Sequence, residues 1–289
     1  MLGKLRTYML CLLLAGSCGL MAQPHYISVG LRGGAGTFLA KGDVKTLWEP
    51  NAWADVHYSY LWTVSDKQLG ITTGVNLGYV GGGYYKASHT DQFTNVDYLG
   101  QTMEYTNTVG SIVERTHGFA LEVPVLFALH YQGLVFHAGI KLQVPCWYQY
   151  TQTMRDLNID AYYRDYDVTL HNELATGKVP QDEYVMKGNR DVADVSLLLS
   201  ADIGYEWQVA PNDWVGLQAW FDGSPYGHTA GKATDRIIDV APITDTPPAK
   251  VTVNTAIGSL TSQLNYLACG IKVTYRFDVL GHRNSAGAQ

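Results

Sequence analysis

The sequence contains few cysteines, few charged residues and, after residue 22, no long apolar run. Of its 4 cysteines, only Cys146 and Cys269 lie beyond the first 22 residues, which is too few for a disulfide framework and fits no metal-ligand spacing. Acidic residues outnumber basic ones 26 to 20, and this balance disfavours nucleic acid as a partner. A spanning helix, which needs about 20 consecutive apolar residues, is excluded beyond residue 22.

The first 22 residues have the organisation of a secretory signal. Two basic residues precede a short apolar run at 9–14, and small-residue character at 20–22 offers a cleavage site. We therefore expect an exported protein whose residues 1–22 are removed, which changes the formal charge from −6 to −8. An uncleaved anchor is disfavoured because the apolar run is too short, and lipid attachment at Cys18 is the alternative route of processing.

Strict alternation of apolar and polar residues dominates the remaining sequence, and helical periodicity is nearly absent. The clearest example is residues 134–143, where the even positions are apolar or small. The same alternation occurs in seven further segments, at 26–38, 53–64, 69–84, 119–129, 196–207, 214–226 and 267–277. Each is at least as long as the roughly 9–11 residues of a tilted membrane strand. The sequence predicts an all-β, antiparallel up-and-down transmembrane β-barrel of about eight strands over residues 23–278, followed by a polar tail at 279–289.

Short and long connections alternate along the chain. The short ones lie at 65–66, 132–133 and 210–213, and the long ones at 39–52, 85–111, 151–191 and 227–258. Outer-membrane barrels have this asymmetry, with short periplasmic turns and long outer loops. Residues 162–170 could add a hairpin within the third long loop, so ten strands is the alternative count.

The turns also predict register. A two-residue turn at 132–133 pairs Tyr131 with Leu134, which places Glu122 opposite Gln143 and within diagonal reach of Lys141. The connection at 210–213 does not match the apolar rows of its two strands, so we expect an odd loop or a bulge there.

The two sides of the strands differ in chemistry. We expect the apolar side to face lipid and the other side to line a closed lumen in which opposite charges pair, because eight strands enclose only enough space for side chains. The predicted polar network of the lumen comprises Arg32, Glu122, Lys141, Asp202, Glu206, Lys272 and Arg276. The predicted aromatic girdles comprise Trp62, Trp207, Trp214, Tyr275 and Phe277 near the short turns, and Trp53, Trp147 and Tyr148 near the long loops.

Several short motifs resemble those of small outer-membrane barrels of Bacteroidota-type bacteria, a broad family of OmpA/OmpX-like and PorT-like proteins. They are MAQ at 21–23, ALEVPV at 120–125, YQG at 131–133, AGIKL at 138–142, ADIGYEW at 201–207 and GIKVTYRF at 270–277. The resemblance covers nearly the whole mature chain and implies a barrel in the outer membrane. It implies no particular chemistry, because the family shares an architecture and not an activity.

Motifs for catalysis or cofactor binding are weak. The glycines at 33–36 lack the lysine and the strand–helix context of a phosphate loop, and His130 with His137 lacks a third metal ligand. Asp222, Ser224 and His228 form the most compact catalytic set, although any polar loop supplies such residues.

We therefore expect no catalytic residues, no cofactor and no metal, and a protein that is not an enzyme. The expected role is a structural or surface-interaction component of the cell envelope in the outer membrane, in contact with lipid and with an envelope or surface protein. A small pore is the alternative, and a lipid A-modifying enzyme is less favoured.

Overall fold

The computed structural model describes residues 25–40, 44–96, 100–172, 182–190, 195–225, 228–229, 236–240, 251–256 and 263–279. The expected signal segment, and the expected tail beyond residue 279, lie outside these ranges. The strands are β1 (His25–Ala40), β2 (Lys45–Leu47), β3 (Glu49–Val64), β4 (Lys67–Lys86), β5 (His89–Val96), β6 (Thr102–Tyr131), β7 (Leu134–Tyr163), β8 (Val168–His171), β9 (Glu183–Asn189), β10 (Ser196–Ala210), β11 (Asp213–Gly223), β12 (His228–Thr229), β13 (Ile238–Val240), β14 (Val251–Val253) and β15 (Gln263–Asp278).

Eight of these strands close into an antiparallel ring. The order is β1, β3, β4, β6, β7, β10, β11 and β15, and β15 pairs with β1 to close the circle. Each ring strand pairs with the ring strand that precedes it in the sequence, which is the up-and-down topology that the alternation predicts. The ring therefore contains eight strands and not ten. No helix in the described part of the chain is long and apolar enough to cross a membrane.

The tight turns set the register that the sequence predicts. Tyr131 pairs with Leu134, which brings Glu122 opposite Gln143. Gln132 and Gly133 both have positive φ, at 49° and 87°, as the favoured two-residue hairpin turn requires. The predicted irregularity between the sixth and seventh ring strands is also present, because the register of β10 and β11 shifts between Gln208 and Ala210.

The barrel is apolar outside and charged inside. Leu31 and Ile203 are 68% and 61% exposed, whereas Lys272 and Asp202 are 2% and 1% exposed. This is the reverse of a water-soluble domain, in which large apolar side chains are buried and lysine is almost never fully buried unless it is paired.

Beyond the ring, the long-loop end of the molecule carries a folded part that we call the outer extension. It consists of the far halves of β6 and β7, together with β5, β8 and β9, which pair with them. Residues predicted as the long loops 85–111 and 151–191 are thus largely strand. Met103, Tyr105 and Val109 are buried on one side of β6, so the alternation that defines a strand continues past the barrel.

The strands change phase where the extension begins. Odd residues of β6 are buried up to Val109 and even residues from Ile112 onward. At this point Gly110 lies against Asp156 of β7, which has a positive φ of 53°. The pairing of β6 with β7 omits Gly110 and Asp156 and resumes in the same register at Ser111 and Arg155, and the side chains change direction at this irregularity.

Candidate functional site

A cluster of five charged side chains fills the half of the lumen that is nearer the long loops. Arg32 donates to Asp55 at 2.9 Å, to Glu122 at 2.8 Å and to Asp222 at 3.0 Å. Lys141 Nζ lies 2.8 Å from Asp222 and 3.9 Å from Glu122. Two cations therefore face three carboxylates, with all five side chains at most 2% exposed.

Neutral side chains hold this cluster in place. Trp53 and Trp220 flank the Arg32 guanidinium, with ring centroids 4.9 and 5.1 Å from Cζ, a distance typical of cation–π contacts. Asn76 Nδ2 donates to Glu122 at 3.0 Å, and Gln143 Nε2 donates to the same carboxylate at 3.3 Å. The carboxylate is thus satisfied by charged and neutral donors together, as a buried polar network requires.

Two simpler ion pairs lie closer to the short turns. Lys272 Nζ donates to Asp202 at 2.9 Å, and Arg276 Nη2 lies 2.8 Å from Glu206. All seven residues that the sequence assigns to the lumen network lie inside the barrel.

Sequence reasoning did not place Asp55 in the network, and it considered Asp222 only as a member of the candidate catalytic set. Both occupy positions opposite the apolar rows of their strands, and this parity could have revealed them.

The two inward histidines lie beside the ion pairs that are nearer the short turns. His130 Nδ1 lies 3.5 Å from Glu206, and His137 Nδ1 lies 3.8 Å from Asp202. Their rings are 5.5 Å apart in an edge-on arrangement. Within the described ranges, no three or more His, Cys, Asp or Glu side chains group to hold a metal ion.

Two spaces lie inside the described part of the barrel. A cavity of about 10 Å³, lined in part by His57, His137 and Lys272, lies among the ion pairs that are nearer the short turns. Its volume is enough for about one water molecule. A vestibule of about 530 Å³ opens at the short-turn end, next to His130, Glu206 and Arg276. Between the vestibule and the apolar layer, the described side chains that point inward are buried, including Arg32, Lys141 and Lys272.

An apolar layer closes the lumen on the long-loop side of the charges. It is formed by buried residues that include Phe38, Trp53, Val80, Tyr84, Tyr148, Trp220 and Tyr266. Tyr84 reaches further and donates to Glu114 at 2.8 Å. The layer separates the charged cluster from the outer extension.

Three of the eight predicted girdle residues lie inside the barrel and not on its surface. Trp53 and Tyr148 belong to the apolar layer, and Trp214 packs on the inner side with its ring 4.3 Å from Arg276 Cζ. For Trp53 and Trp214 the prediction used nearness to the strand end and neglected parity. Tyr148 has a different cause, because the register shift opposite Phe119 and Ala120 reverses the outward parity of β7 between Val144 and Trp147. Trp53 has the parity of the inward Asp55, and Trp214 has the parity of the inward Gln218.

The remaining girdle residues lie on the outside in two bands. Trp62, Trp207, Tyr275 and Phe277 lie near the short turns, and Trp147 lies near the long loops with Tyr79, His117 and Phe119. Along β6, 12 residues separate Phe119 from Tyr131. At about 3.3 Å per residue and a tilt of about 40°, this spans about 30 Å, close to the thickness of a bilayer core.

The apolar layer continues into the outer extension as one cluster of buried residues, and Ile237, Ile238 and Ala256 of the segments 236–240 and 251–256 belong to it. Asp91 fixes the first of these segments, because its carboxylate accepts the backbone N–H groups of Ile237 at 2.9 Å and Ile238 at 3.3 Å. Burial raises the pKa of Asp91, but the hydrogen bonds from His89 and from these two amides outweigh burial and leave the pKa below its usual value. Gln152 fixes the second segment by accepting the Ala256 N–H at 2.7 Å.

The compact catalytic set is not assembled in the described residues. Asp222 is occupied by Arg32 and Lys141, and Ser224 Oγ accepts the backbone N–H of Tyr266 at 2.7 Å. The side chain of His228 lies outside the described residues.

Comparisons with known proteins show likeness in architecture. No protein-family model matches the sequence, and no curated protein matches it. Among solved structures, the barrel is similar to the surface protein NspA of Neisseria at 9% identity and a TM-score of 0.29, over 88% of this chain and 96% of that one. It is similar to the attachment invasion protein Ail of Yersinia pestis at 8% identity and a TM-score of 0.30, over 88% of this chain and 99% of the other.

A third structure bears on catalysis. The outer-membrane protease OmpT of Escherichia coli matches at 9% identity and a TM-score of 0.23, over 89% of this chain and 97% of that one. The sequence-based expectation that the protein is not an enzyme is therefore wrong as an exclusion, because barrels of this architecture include a protease. Neither identity nor TM-score assigns that activity to this chain.

Proposed function

We propose that the protein is an integral outer-membrane barrel that displays its outer extension as an interaction surface of the cell. In this role the barrel is an anchor, and the extension binds a partner at the surface or within the envelope. The observation that carries the proposal is that side chains fill the barrel, while β6 and β7 continue beyond it into a folded extension at the long-loop end.

The chemistry of the two barrel faces supports residence in a membrane. A belt of exposed Val, Leu, Ile and Phe side chains between two aromatic bands would be costly to hydrate in water, and contiguous apolar surface of this extent marks contact with lipid or protein. Export by a cleaved signal, and kinship with small envelope barrels of Bacteroidota-type bacteria, belong to the same proposal.

The filled lumen supports an anchoring role over the alternative of a pore. The charged cluster around Arg32 and the apolar layer above it occupy the cross-section of the ring. Eight strands leave an interior that side chains can fill, whereas water-filled porins need about sixteen or more. The packed extension, by contrast, offers an ordered surface.

The orientation and accessibility of the extension can be tested by labelling in intact cells. In a chain whose two cysteines beyond residue 22 are replaced (Cys146→Ala and Cys269→Ala), Thr94→Cys places a thiol on an exposed position of β5, and Asp66→Cys places one in a short turn. A membrane-impermeant maleimide should label position 94 in intact cells and position 66 only after the outer membrane is opened.

Two outcomes would contradict the proposal. Labelling at position 66 but not at 94 in intact cells would invert the orientation. Recovery of the folded chain in the detergent-free soluble fraction would remove the membrane anchor altogether. The chain that carries only Cys146→Ala and Cys269→Ala serves as the background control for both labels.

A further inference from the structure

The vestibule at the short-turn end has the size of a small-molecule site. Its volume of about 530 Å³ falls within the range of about 300–1,000 Å³ that is usual for ligand pockets. His130, Glu206 and Arg276 form its floor and also line the water-sized cavity further inside the barrel. Each of the three is more than nine-tenths buried, so their polar atoms need hydrogen-bond partners at the floor itself.

Two polar atoms of this floor have hydrogen-bonding capacity left over. Within the described part of the chain, no atom is placed to bond with Arg276 Nη1 or with His130 Nε2. The other nitrogens of the two side chains face one carboxylate oxygen, Glu206 Oε2. Arg276 Nε and Nη2 lie 2.9 and 2.8 Å from it, and His130 Nδ1 lies 3.5 Å from it. The two unpartnered atoms therefore belong to side chains that converge on one point of the floor.

This pair of atoms offers one donor and one acceptor. Arg276 Nη1 can only donate. Because Nδ1 of His130 faces a carboxylate, the neutral ring carries its proton on Nδ1 and presents Nε2 as an acceptor. A hydroxyl group accepts one hydrogen bond and donates another, so a single hydroxyl at the floor satisfies both atoms. An ionised carboxylate has no proton to donate to Nε2 and would also lie next to Glu206.

The walls of the vestibule have the same chemistry as the floor. They carry amide and hydroxyl side chains, which both donate and accept, at Thr63, Ser65, Gln68, Gln132 and Gln208. The Arg276 guanidinium is fixed between two aromatic rings, since the ring centroids of Tyr26 and Trp214 each lie 4.3 Å from its Cζ. The lining is therefore polar, largely uncharged and ordered at its base.

The charges around the vestibule disfavour an anionic ligand. The ion pair at the floor is balanced, and Asp66 is the remaining ionised side chain among the described residues of the lining. The adjacent turns and strand ends also carry Lys67, Asp213 and Asp278. Acidic side chains thus outnumber basic ones at this end, and hydrogen bonding is what the floor offers to a ligand.

We propose that the vestibule binds a neutral saccharide. One sugar hydroxyl bonds with Arg276 Nη1 and His130 Nε2, and other hydroxyls bond with the amide and hydroxyl side chains of the walls. A peptide also carries donors and acceptors, but the N–H and C=O of a trans amide point to opposite sides, whereas the floor needs both functions on one atom. This site belongs to the barrel and goes beyond the display of the outer extension.

The test is isothermal titration of the purified chain in phosphatidylcholine nanodiscs with maltotriose, cellotriose and triacetylchitotriose. We expect at least one of these to bind, with an affinity that does not change with NaCl, because contacts to a neutral ligand are not screened. His130→Phe keeps a ring but removes the acceptor, and it should weaken that binding at least about tenfold. The matched control, His171→Phe, removes an exposed histidine of β8 and should leave the affinity unchanged.

A blocking experiment locates the site without altering its floor. In the Cys146→Ala/Cys269→Ala chain, Asp66→Cys modified with a bulky maleimide should weaken saccharide binding at least about tenfold, because position 66 lines the vestibule. The same modification of Thr94→Cys, on the outer extension, should leave binding unchanged.

The proposal is wrong if none of the three saccharides binds at about 10 mM, well above the Kd of a weak site. It is also wrong if blocking at position 66 has no effect, or if His130→Phe and His171→Phe bind equally well. Binding of acetyl-trialanine amide in place of the saccharides would identify a peptide site and reject the saccharide. Heat-dependent gel migration shows that each variant is folded. Labelling in intact cells is independent of these outcomes, so failure of the saccharide site and failure of the proposed function are distinguishable.

Discussion

Arg32 is the residue on which the interior of the barrel depends most. It touches three carboxylates at once, and the only other cation in that cluster is Lys141. Burying a charge is costly unless it is paired, and removing one partner leaves the other uncompensated. The cluster is one cation short of balance, so the loss of a cation and the loss of an anion should have different effects.

Substitutions in the cluster should follow the order of their effect on charge balance. We expect Arg32→Gln to lower the free energy of unfolding by about 3–5 kcal/mol, the range for breaking a buried pair. Glu122→Gln should cost less, because it leaves two cations facing two carboxylates. Urea unfolding of the chain refolded in lipid vesicles measures both.

The matched control is Arg115→Gln, which removes an arginine from a solvent-exposed pair with Glu49 and should cost about 0–1 kcal/mol. If Arg32→Gln and Arg115→Gln unfold at the same urea concentration, the buried cluster does not stabilise the barrel. If Glu122→Gln is the most destabilising of the three, the argument from charge balance is wrong.

At the scale of elements, the β6–β7 hairpin organises the molecule. It supplies two ring strands and the two central strands of the outer extension, and its turn is only Gln132 and Gly133. Both turn residues have positive φ, which glycine adopts freely and other residues adopt at a cost. The turn thus fixes a register that extends far beyond the barrel.

The two turn positions should respond oppositely to substitution. Gly133→Ala should destabilise the hairpin by about 1 kcal/mol or more, because of the positive φ and because a Cβ would lie 2.4 Å from Tyr205 Cζ. Gln132→Gly should be neutral or stabilising, since it relieves the same backbone cost. Urea unfolding in vesicles gives both values, and a turn insensitive to Gly133→Ala would contradict this account.

Strand parity was the most reliable sequence signal, and it also explains the errors at Trp53 and Trp214. It fixed the eight ring strands, the hairpin registers and the inward charges such as Lys272, because a one-residue slip would expose every charge to lipid. The girdle assignments for Trp53 and Trp214 failed where nearness to a turn was used in its place. The packing of residues 236–240 against β5 and β6 could not be predicted, because contacts between distant loops leave no local periodicity.

At the scale of the whole molecule, the barrel has a vestibule at its short-turn end. The vestibule of about 530 Å³ ends near His130 and Arg276, and the charged cluster and apolar layer lie beyond it. Ions entering from the short-turn side would meet buried, paired charges and then an apolar barrier.

The intact protein should therefore not conduct in planar bilayers. We expect no discrete conductance steps for the parent chain under conditions in which a water-filled porin conducts. Stable, reproducible steps from the folded chain would contradict the filled lumen and favour the pore. Steps seen only with heat-denatured protein would report membrane damage and leave the lumen closed.

The pairing of the first and last strands has a consequence for biosynthesis. β1 and β15 share 15 paired positions, from Tyr26 with Asp278 to Ala40 with Leu264. The first ring strand to be synthesised therefore cannot form this pairing until the last ring strand has been made. Until that partner arrives, the nascent sheet has two open edges, which are templates for aggregation. An escort that shields those edges during transit through the aqueous compartment follows as a requirement of the architecture itself.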